Sequence, residues 1–320
     1  MSDSSTKLPD RQQTSGGVFD DYPQVYFAPD DLGEALRILA QNEGKIRVIA
    51  GGTDILVQLY RRLYQVEGWL DLQHVRELGK IELAGDKVRI GALVTHNQLA
   101  QSRLIQKYLP ILARAAGDIG SPQVRNRGTI GGNIVNASPA GDLLPPLLAY
   151  GAELKIASQM ERLSCRADTF FTGPGQTTLK EGQLLTGIDI PLPEEGTTAF
   201  WAKVGKRKSL TIASLSLAVV LKIDAASFIR KPRVCFGSAA PTPLLINEAM
   251  AFLEGRKIQE VDGLILGRLV AEGIRPIDDL RGTMAYRQAV ASNLVKKAVD
   301  EIARKNREGG GESPESNIDS

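Results

Sequence analysis

The amino-acid sequence predicts an α+β protein with a larger N-terminal part and a smaller C-terminal part. In the N-terminal half, a short β-branched run leads into a glycine turn and a helical pattern, and two alternating segments flank a turn at residues 84–86. After residues 193–196 the pattern changes to three strand-like segments followed by helices, so we place a linker there. A chain of 320 residues is long enough to bury a sizeable core.

The charge balance argues against several classes of partner. The 39 Lys and Arg residues nearly cancel the 37 Asp and Glu residues, and a net charge of +2 gives no reason to expect nucleic acid or a membrane surface. No apolar run approaches the roughly 20 residues of a membrane-spanning helix, so no membrane insertion is expected. Cys165 and Cys235 form neither a metal-spaced pair nor a disulfide framework, which favours a reducing, cytoplasmic compartment.

Both ends of the sequence have a polar composition. Residues 1–20 are rich in Ser, Asp, Gln and Gly and contain no apolar run, so we expect a disordered tail and neither a signal peptide nor an anchor. Residues 306–320 are rich in Gly, Glu and Ser, and a second disordered tail is expected there.

Residues 21–75 have the pattern of a βαβ-like unit. A helix is predicted after residue 31, because Asp31 and Glu34 resemble a capping box and apolar residues follow at helical spacing. Short strands are predicted at residues 47–49 and 69–72. This unit is the first of two predicted subdomains.

A glycine turn follows the first of these strands. It consists of Ala50, Gly51, Gly52, Thr53 and Asp54 and is called here the first glycine loop. A strand, a glycine turn and a helix N-terminus together form the usual cradle for an anion. The loop lacks the third glycine of a Rossmann fingerprint and the Gly-Lys-Ser/Thr of a P-loop, so neither of those sites is predicted.

The second subdomain, residues 76–195, combines strands and helices. Thr95 is a plausible N-cap for helical spacing that runs from Leu99 to Ala116, and a short helix with proline at its start is predicted at residues 145–150. Strands are predicted at residues 81–83, 87–90, 153–157, 162–165 and 184–190.

The stretch from residue 119 to residue 142 holds five glycines. Its centre, residues 128–133, is called here the second glycine loop. Glycine at this density indicates unusual dihedral angles or a very close approach. Exposed backbone N–H groups together with hydroxyl and amide side chains are expected here and suit a phosphate or pyrophosphate. A glycine-rich turn without a ligand is the alternative. Two such loops in one domain indicate a long ligand that is held at two points.

The pairing of the two loops resembles one protein family. The resemblance rests on residues 50–54 and 123–133, on Ala-Ser-Pro at 137–139 with Asp142, and on matches at residues 184–191, 203 and 281–287. The chain is similar, over roughly residues 22–305, to the FAD-binding subunits of molybdenum hydroxylases. This family includes the medium subunits of carbon monoxide and nicotinate dehydrogenases and the flavin domain of xanthine dehydrogenase.

The resemblance implies a particular fold and domain order. We expect a two-subdomain FAD-binding fold of the vanillyl-alcohol oxidase and p-cresol methylhydroxylase type over residues 21–195, divided into residues 21–75 and 76–195. A smaller C-terminal α+β domain, a three-stranded sheet with helices, is expected over residues 197–305.

By the same resemblance, a set of residues is expected to bind FAD. Residues 49–56 would take the pyrophosphate through backbone N–H groups and the Thr53 hydroxyl, and the second glycine loop would wrap the other side of the cofactor. The full set is Ile49, Ala50, Gly51, Gly52, Thr53, Asp54, Ile55, Leu56, Ile119, Gly128, Thr129, Ile130, Gly131, Gly132, Asn133, Asn136, Asp142, Leu185 and Lys203.

Several of these residues have a structural alternative. Asp142 could cap the helix that begins near Pro145, Leu185 could be an ordinary core leucine, and Lys203 could be a solvated lysine at a strand end. Ile119 falls where the eukaryotic members place an aromatic ring over the flavin, so only apolar packing is expected here. The electron acceptor stays open, and the basic residues 206–208 could attract NAD phosphate or an acidic partner or form a solvated face.

The family resemblance also implies a role within an assembly. Two cysteines cannot hold two [2Fe–2S] clusters, which need about eight cysteine ligands. His74 and His96 sit in unrelated contexts, so no metal site is expected, and both are expected at the surface or in a cap. No catalytic residue is expected in this chain. The implied partners are an iron–sulfur small subunit and a molybdopterin large subunit in a heterotrimer or a dimer of heterotrimers. FAD would pass electrons from the [2Fe–2S] clusters to NAD, quinone or another acceptor. The alternatives are a self-contained FAD-dependent oxidase or reductase and a cofactor-free scaffold subunit.

Overall fold

The computed structural model describes residues 25–60, 67–205, 213–277 and 282–309. The N-terminal tail expected over residues 1–20 and the basic residues 206–208 lie outside the described residues. The strands in the described part are β1 (Val25–Phe27), β2 (Ile46–Ile49), β3 (Gly68–Asp71), β4 (Ile81–Ala84), β5 (Lys87–Gly91), β6 (Glu153–Ala157), β7 (Arg162–Arg166), β8 (Phe171–Gly173), β9 (Gln176–Thr177), β10 (Leu184–Pro191), β11 (Thr197–Val204), β12 (Leu215–Ile223), β13 (Ile229–Gly237) and β14 (Leu244–Leu245).

Helices connect and cover these strands. They are α1 (Leu32–Gln41), α2 (Ile55–Tyr60), α3 (His96–Gln101), α4 (Arg103–Tyr108), α5 (Pro110–Gly117), α6 (Pro122–Arg127), α7 (Ile130–Asn136), α8 (Leu144–Ala149), α9 (Asn247–Leu253), α10 (Gly263–Gly273) and α11 (Met284–Gly309), with short 3₁₀ turns at Arg76–Gly79, Ala167–Thr169 and Ile258–Glu260. No helix within the described ranges has the length and apolar character needed to cross a membrane.

The first sheet is parallel, with the strand order β1-β3-β2. Helix α1 covers it because Asp31 caps the helix, accepting the Glu34 N–H at 2.8 Å, and because the apolar stripe of α1 is buried. The Glu34 carboxylate turns to the N–H of Asp30, so only half of the predicted capping box forms. Parallel strands end at one common edge, and the first glycine loop leaves the sheet at that edge.

The second sheet is antiparallel, with the strand order β4-β5-β10-β6-β7. The predicted hairpin forms between β4 and β5, where Gly85 takes the positive φ of 65° that the turn requires. Helices α3, α4, α5, α7 and α8 contribute to the core against this sheet, which contains Ile90, Leu99, Leu112, Ile134, Leu147 and Ile188. This packing holds the second glycine loop against β5 and β10.

The third sheet has four strands in the order β11-β12-β13-β14, one more than the predicted three. The extra strand pairs only two residues, Leu244 and Leu245, with β13, which is too short to leave a period-two pattern in the sequence. Helices α9, α10 and α11 pack against this sheet around a second core that contains Leu217, Phe236 and Val295.

Helix α11 ends later than the sequence predicted. It continues to Gly309 and so includes the first four residues of the expected C-terminal tail. Ion pairs at i,i+4 spacing explain the extension, since Arg304 lies 3.8 Å from Glu308 and Lys305 lies 3.0 Å from Glu301. The rest of that tail lies outside the described residues.

Candidate cofactor-binding site

The first glycine loop presents free backbone donors. It lies between the end of β2 at Ile49 and the start of α2 at Ile55. Gly52 adopts φ 73°, and the Leu56 N–H returns to the Gly52 carbonyl at 3.3 Å to close the first helical turn. Within the described ranges, the N–H groups of residues 50–54 have no hydrogen-bond acceptor. The loop is therefore a concave row of donors suited to an anion.

The two glycine loops touch each other. A Cβ atom added to Gly51 would lie 1.9 Å from the Arg127 carbonyl oxygen and 2.9 Å from the Cα of Gly128. Only glycine permits this approach of backbone to backbone. The sequence predicted two separate holding points, whereas the structure joins the loops into one continuous wall.

In the second glycine loop, the backbone N–H groups of three consecutive residues are already bound to acceptors of the protein. Thr129 caps α7, its Oγ1 accepting the Gly132 N–H at 3.0 Å, and the N–H groups of Ile130 and Gly131 bind the carbonyls of Val94 and Ala92, each at 2.9 Å. The expectation of free N–H groups is therefore wrong for these residues. The reason is that the loop docks on the segment after β5, where Gly131 leaves no room for a Cβ atom.

What this loop leaves available to a ligand is a side-chain oxygen rather than backbone N–H groups. The Asn133 Oδ1 atom is buried and has no hydrogen-bond partner in the described chain. Asn136 is half-buried at the end of α7, three residues further along the same helix face. A buried amide oxygen without a partner is costly, so it points to a ligand with a donor group.

Asp142 and Lys203 form a buried ion pair that links the segment between α7 and α8 to β11. The Lys203 Nζ atom lies 2.6 Å from Asp142 Oδ2, and the two side chains are only 11% and 9% exposed. Asp142 Oδ1 is buried and meets no partner among the described residues. Burial raises the pKa of Asp142 to about 6 although Lys203 opposes the shift, and Asp118 adds to the rise.

This geometry decides between two alternatives raised from the sequence. Helix α8 begins after Leu143 without a side-chain cap, so Asp142 is not the cap of that helix. Lys203 is not a solvated lysine, because its ammonium group binds both Asp142 and the carbonyl of Asp118.

Ile119 and Leu185 lie in different surroundings. Ile119 is half-buried, and its carbonyl accepts the Arg125 guanidinium at 2.9 Å, as does the carbonyl of Gly120. Leu185 is 5% exposed in the core against the second sheet. The next residue, Thr186, forms a β-bulge, and its carbonyl accepts the Ala92 N–H at 3.0 Å. Thr186 thus holds Ala92, whose carbonyl in turn accepts the Gly131 N–H of the second glycine loop.

Sequence reasoning missed three residues that shape the site. His96 was expected at the surface or in a cap, but it is 4% exposed and its ring lies where a Cβ on Gly128 would approach to 3.0 Å. Burial, helped by Arg125, lowers the pKa of His96 to about 4, so the imidazole is neutral. The Asp118 carbonyl binds Lys203 and the Asp118 carboxylate accepts the Trp201 indole N–H, and no local pattern in the sequence marks Asp118 or Trp201.

The arrangement fits a dinucleotide with a flavin. The free N–H groups of residues 50–54 suit a pyrophosphate, and the partnerless oxygens of Asn133 and Asp142 suit the hydroxyl and ring N–H donors that such a cofactor carries. The set contains no thiolate or imidazole cluster, and no group of metal-ligating side chains occurs in the part of the chain that was described.

Known proteins resemble the chain over most of its length. The family model "FAD binding domain in molybdopterin dehydrogenase" matches residues 18–193, and "CO dehydrogenase flavoprotein C-terminal domain" matches residues 201–302. The carbon monoxide dehydrogenase medium chain of Hydrogenophaga pseudoflava is 33% identical over 275 residues, which are 86% of this chain and 95% of that protein. The xanthine dehydrogenase FAD-binding subunit of Escherichia coli O157:H7 is 30% identical over 278 residues, 86% of this chain and 94% of the relative.

Solved structures agree with these relatives. The carbon monoxide dehydrogenase from Hydrogenophaga pseudoflava that lacks the Mo-pyranopterin moiety superimposes with a TM-score of 0.83 at 33% identity, covering 88% of this chain and 97% of that chain. Quinoline 2-oxidoreductase from Pseudomonas putida 86 gives a TM-score of 0.81 at 27% identity, with coverages of 88% and 97%. The expected α+β fold and FAD as the cofactor of this chain are thereby confirmed. The chain therefore belongs to the FAD-binding medium subunits of the molybdenum hydroxylases, which are oxidoreductase components.

Proposed function

We propose that this chain holds FAD along the wall formed by the two glycine loops and passes electrons from the [2Fe–2S] clusters of a partner subunit to NAD, quinone or another acceptor. The observation that carries the proposal is the set of free polar groups along this wall. Five consecutive N–H groups in residues 50–54 and the buried oxygens of Asn133 and Asp142 find no acceptor or donor within the described part of the chain.

Each residue has a role that follows from its chemistry. The N–H groups of the first glycine loop and the Thr53 hydroxyl would hold the pyrophosphate, where the nearby start of α2 adds a favourable dipole. Asp142 Oδ1 would accept a hydrogen bond from a ribityl or ribose hydroxyl. Ile119 would offer apolar packing to the ring system in place of an aromatic stack.

We expect the remaining members of the predicted set to line or support the wall formed by the two glycine loops. FAD, when bound, supplies redox chemistry that can connect one-electron donors to a two-electron acceptor. The chain itself orients the cofactor and sets the charge around it. No side chain in this arrangement has to act as a general acid or base.

The proposal includes an assembly. Relatives of similar length are named medium chains or FAD-binding subunits, which supports partners of smaller and larger size. We assign the [2Fe–2S] clusters to a small subunit and molybdopterin to a large subunit, in a heterotrimer or a dimer of heterotrimers. A cytoplasmic location is part of the same proposal, supported by two free cysteines, of which Cys235 is buried.

The first experiment is the visible absorption spectrum of the purified chain, with identification of the chromophore that denaturation releases. Free FAD in the supernatant supports the proposal. A colourless chain that also fails to take up added FAD contradicts it and favours a cofactor-free scaffold. Oxidation of a substrate by the isolated chain would instead favour a self-contained flavin oxidase or reductase.

A variant tests the position of the cofactor. Gly132 is exposed, and a Cβ atom there meets only the Thr129 hydroxyl, at 3.0 Å, so Gly132→Leu should fold. Because the new side chain projects from the wall, the affinity for FAD should fall by about tenfold or more, a cost of about 1.4 kcal/mol. Gly79→Leu is the control, since nothing lies within 4 Å of a Cβ atom at Gly79. Equal FAD affinity in both variants would place the cofactor elsewhere.

A further inference from the structure

One residue at the end of α5 binds two residues of β11. The indole Nε1 of Trp201 donates to Asp118 Oδ2 at 2.9 Å, and the Lys203 Nζ donates to the Asp118 carbonyl at 3.0 Å. Trp201 and Lys203 are alternate residues of one strand and therefore point to the same face. Asp118, the C-cap residue of α5, thus fixes the strand at two points.

The double contact defines where the Lys203 ammonium group lies. Trp201 is 2% exposed and is part of the core against the second sheet, so its ring cannot move freely. The Asp118 carbonyl at the end of a helix is an acceptor with partial negative charge, which favours a cation. With one N–H on that carbonyl, Lys203 directs another to Asp142 Oδ2 at 2.6 Å.

Lys203 controls the charge on Asp142. The charged groups that act on this carboxylate in the described chain are Lys203 and Asp118. Burial raises the pKa of Asp142, Lys203 lowers it, and Asp118 raises it, with a result of about 6. Loss of the nearby ammonium group would therefore raise the pKa of Asp142 further.

We propose that Asp118 is a positioning residue for the cofactor site, which through the Trp201 indole and its own carbonyl holds Lys203 on one oxygen of Asp142 and leaves the other oxygen to the cofactor. This inference rests on the proposed binding of FAD. Asp118 does not touch the cofactor in this arrangement and acts through Lys203.

The test uses two conservative variants of the full chain. Trp201→Phe keeps the aromatic packing and loses the indole N–H. Asp118→Asn keeps an oxygen acceptor for the indole and the backbone carbonyl, but removes one negative charge near Asp142. Two readouts are compared across pH: the FAD dissociation constant, and the titration midpoint of the ¹³C-labelled Asp142 carboxyl group in the FAD-free chain.

The expected results have opposite signs. In Trp201→Phe, Lys203 loses its fixed place, so the Asp142 midpoint should move upward from about 6 and FAD should bind about tenfold more weakly near neutral pH. In Asp118→Asn, the midpoint should move downward because a neighbouring negative charge is gone, and FAD affinity should be retained.

Other outcomes overturn the proposal. A Trp201→Phe chain that melts earlier but keeps the wild-type midpoint would show that Trp201 has only a packing role. If Trp201→Phe does not fold, Asp118→Ala takes its place, because this variant loses the oxygen that accepts the indole N–H. Equal Asp142 midpoints and equal FAD affinities in Asp118→Ala and Asp118→Asn, which both lack the charge, would overturn the inference. A wild-type chain that binds no FAD would contradict the proposed function, while the carboxyl titration would still show whether Asp118 and Trp201 hold Lys203.

Discussion

The two glycine loops have similar compositions but opposite hydrogen-bonding character, since the first leaves donors free and the second leaves an acceptor free. The first loop leaves the N–H groups of residues 50–54 free, and the second loop binds the N–H groups of residues 130–132 to Val94, Ala92 and Thr129. What the second loop offers is instead the amide oxygen of Asn133, with Asp142 Oδ1 close by in sequence. The continuous wall therefore has two parts. The part formed by the first loop donates hydrogen bonds and is called here the donating wall, and the part formed by the second loop with Asp142 accepts them and is called the accepting wall.

The difference teaches that glycine can serve two purposes. In the first loop, Gly52 provides a positive φ that turns successive N–H groups outward. In the second loop, Gly131 provides close approach, because a Cβ atom there would lie 2.6 Å from the Ala92 carbonyl oxygen. A cofactor with an anionic centre and hydroxyl donors needs both kinds of wall.

The largest expected effect comes from breaking the contact between the loops. Gly51→Ala places a Cβ atom 1.9 Å from the Arg127 carbonyl oxygen, so the loops must separate. We expect a loss of about 3 kcal/mol in the free energy of unfolding, together with loss of bound FAD. Urea unfolding and the flavin absorbance measure the two effects.

The matched control for this change is Gly79→Ala. Nothing lies within 4 Å of a Cβ atom at Gly79, so this variant should keep both its stability and its FAD. If Gly51→Ala behaved like the control, the two loops would not form one wall, and the comparison between them would lose its basis.

An effect of intermediate size is expected from Asp142 in the accepting wall, whose protonation makes the stability of the chain depend on pH. The pKa of Asp142 is about 6 in the folded chain, whereas an unperturbed Asp side chain, as in the unfolded chain, has a pKa of 3.8. The folded FAD-free chain therefore binds the carboxyl proton more tightly than the unfolded chain does. The resulting stability is fully present below about pH 4 and is lost as the pH rises through about 6, by about 3 kcal/mol. Thermal unfolding of the FAD-free chain from about pH 4 to about pH 7 checks the slope.

Two variants separate this group from other carboxylates. In Asp142→Asn the pH-dependent loss should disappear, although the unpaired Lys203 lowers stability throughout the range. Asp54→Asn, which changes an exposed carboxylate of the donating wall, should keep the wild-type slope. Equal slopes in the wild type and Asp142→Asn would assign the pH dependence to another group.

The smallest expected effect comes from the cap of the second loop. Thr129→Ala removes the oxygen that accepts the Gly132 N–H and should cost about 1 kcal/mol of stability. Thr129→Ser keeps that oxygen and should cost less. If Thr129→Ala loses FAD without losing stability while Thr129→Ser keeps both, the hydroxyl serves the cofactor and the N–H of Gly132 is free, which would make the two walls alike.

Sequence reasoning predicted well where the signal was local. The Asp31 cap, the turn at Gly85 and the Thr95 cap all form, because each depends on residues within a few positions. The resemblance selected Asp142 and Lys203, which the structure brings together across 61 positions. Their pairing with each other was not predicted, since no pattern in either segment encodes the contact.

Prediction failed where a group's partner lies far away in sequence. The destination of the Gly131 N–H depends on Ala92, and the place of Lys203 depends on Asp118, 85 positions earlier. His96 was expected at the surface or in a cap, yet it is buried beside Gly128 of the second glycine loop. Long-range packing decides these environments, and one sequence does not contain a visible record of it.

The ion pair between Asp142 and Lys203 has a consequence for biosynthesis. Both glycine loops leave the ribosome before β11, which carries Lys203, has been translated. Until that strand docks, Asp142 lacks its cation and Asp118 has not yet met Trp201. We therefore expect tight FAD binding only after β11 has been synthesised and has docked, and a polypeptide truncated before residue 197 would lack the cation that pairs with Asp142.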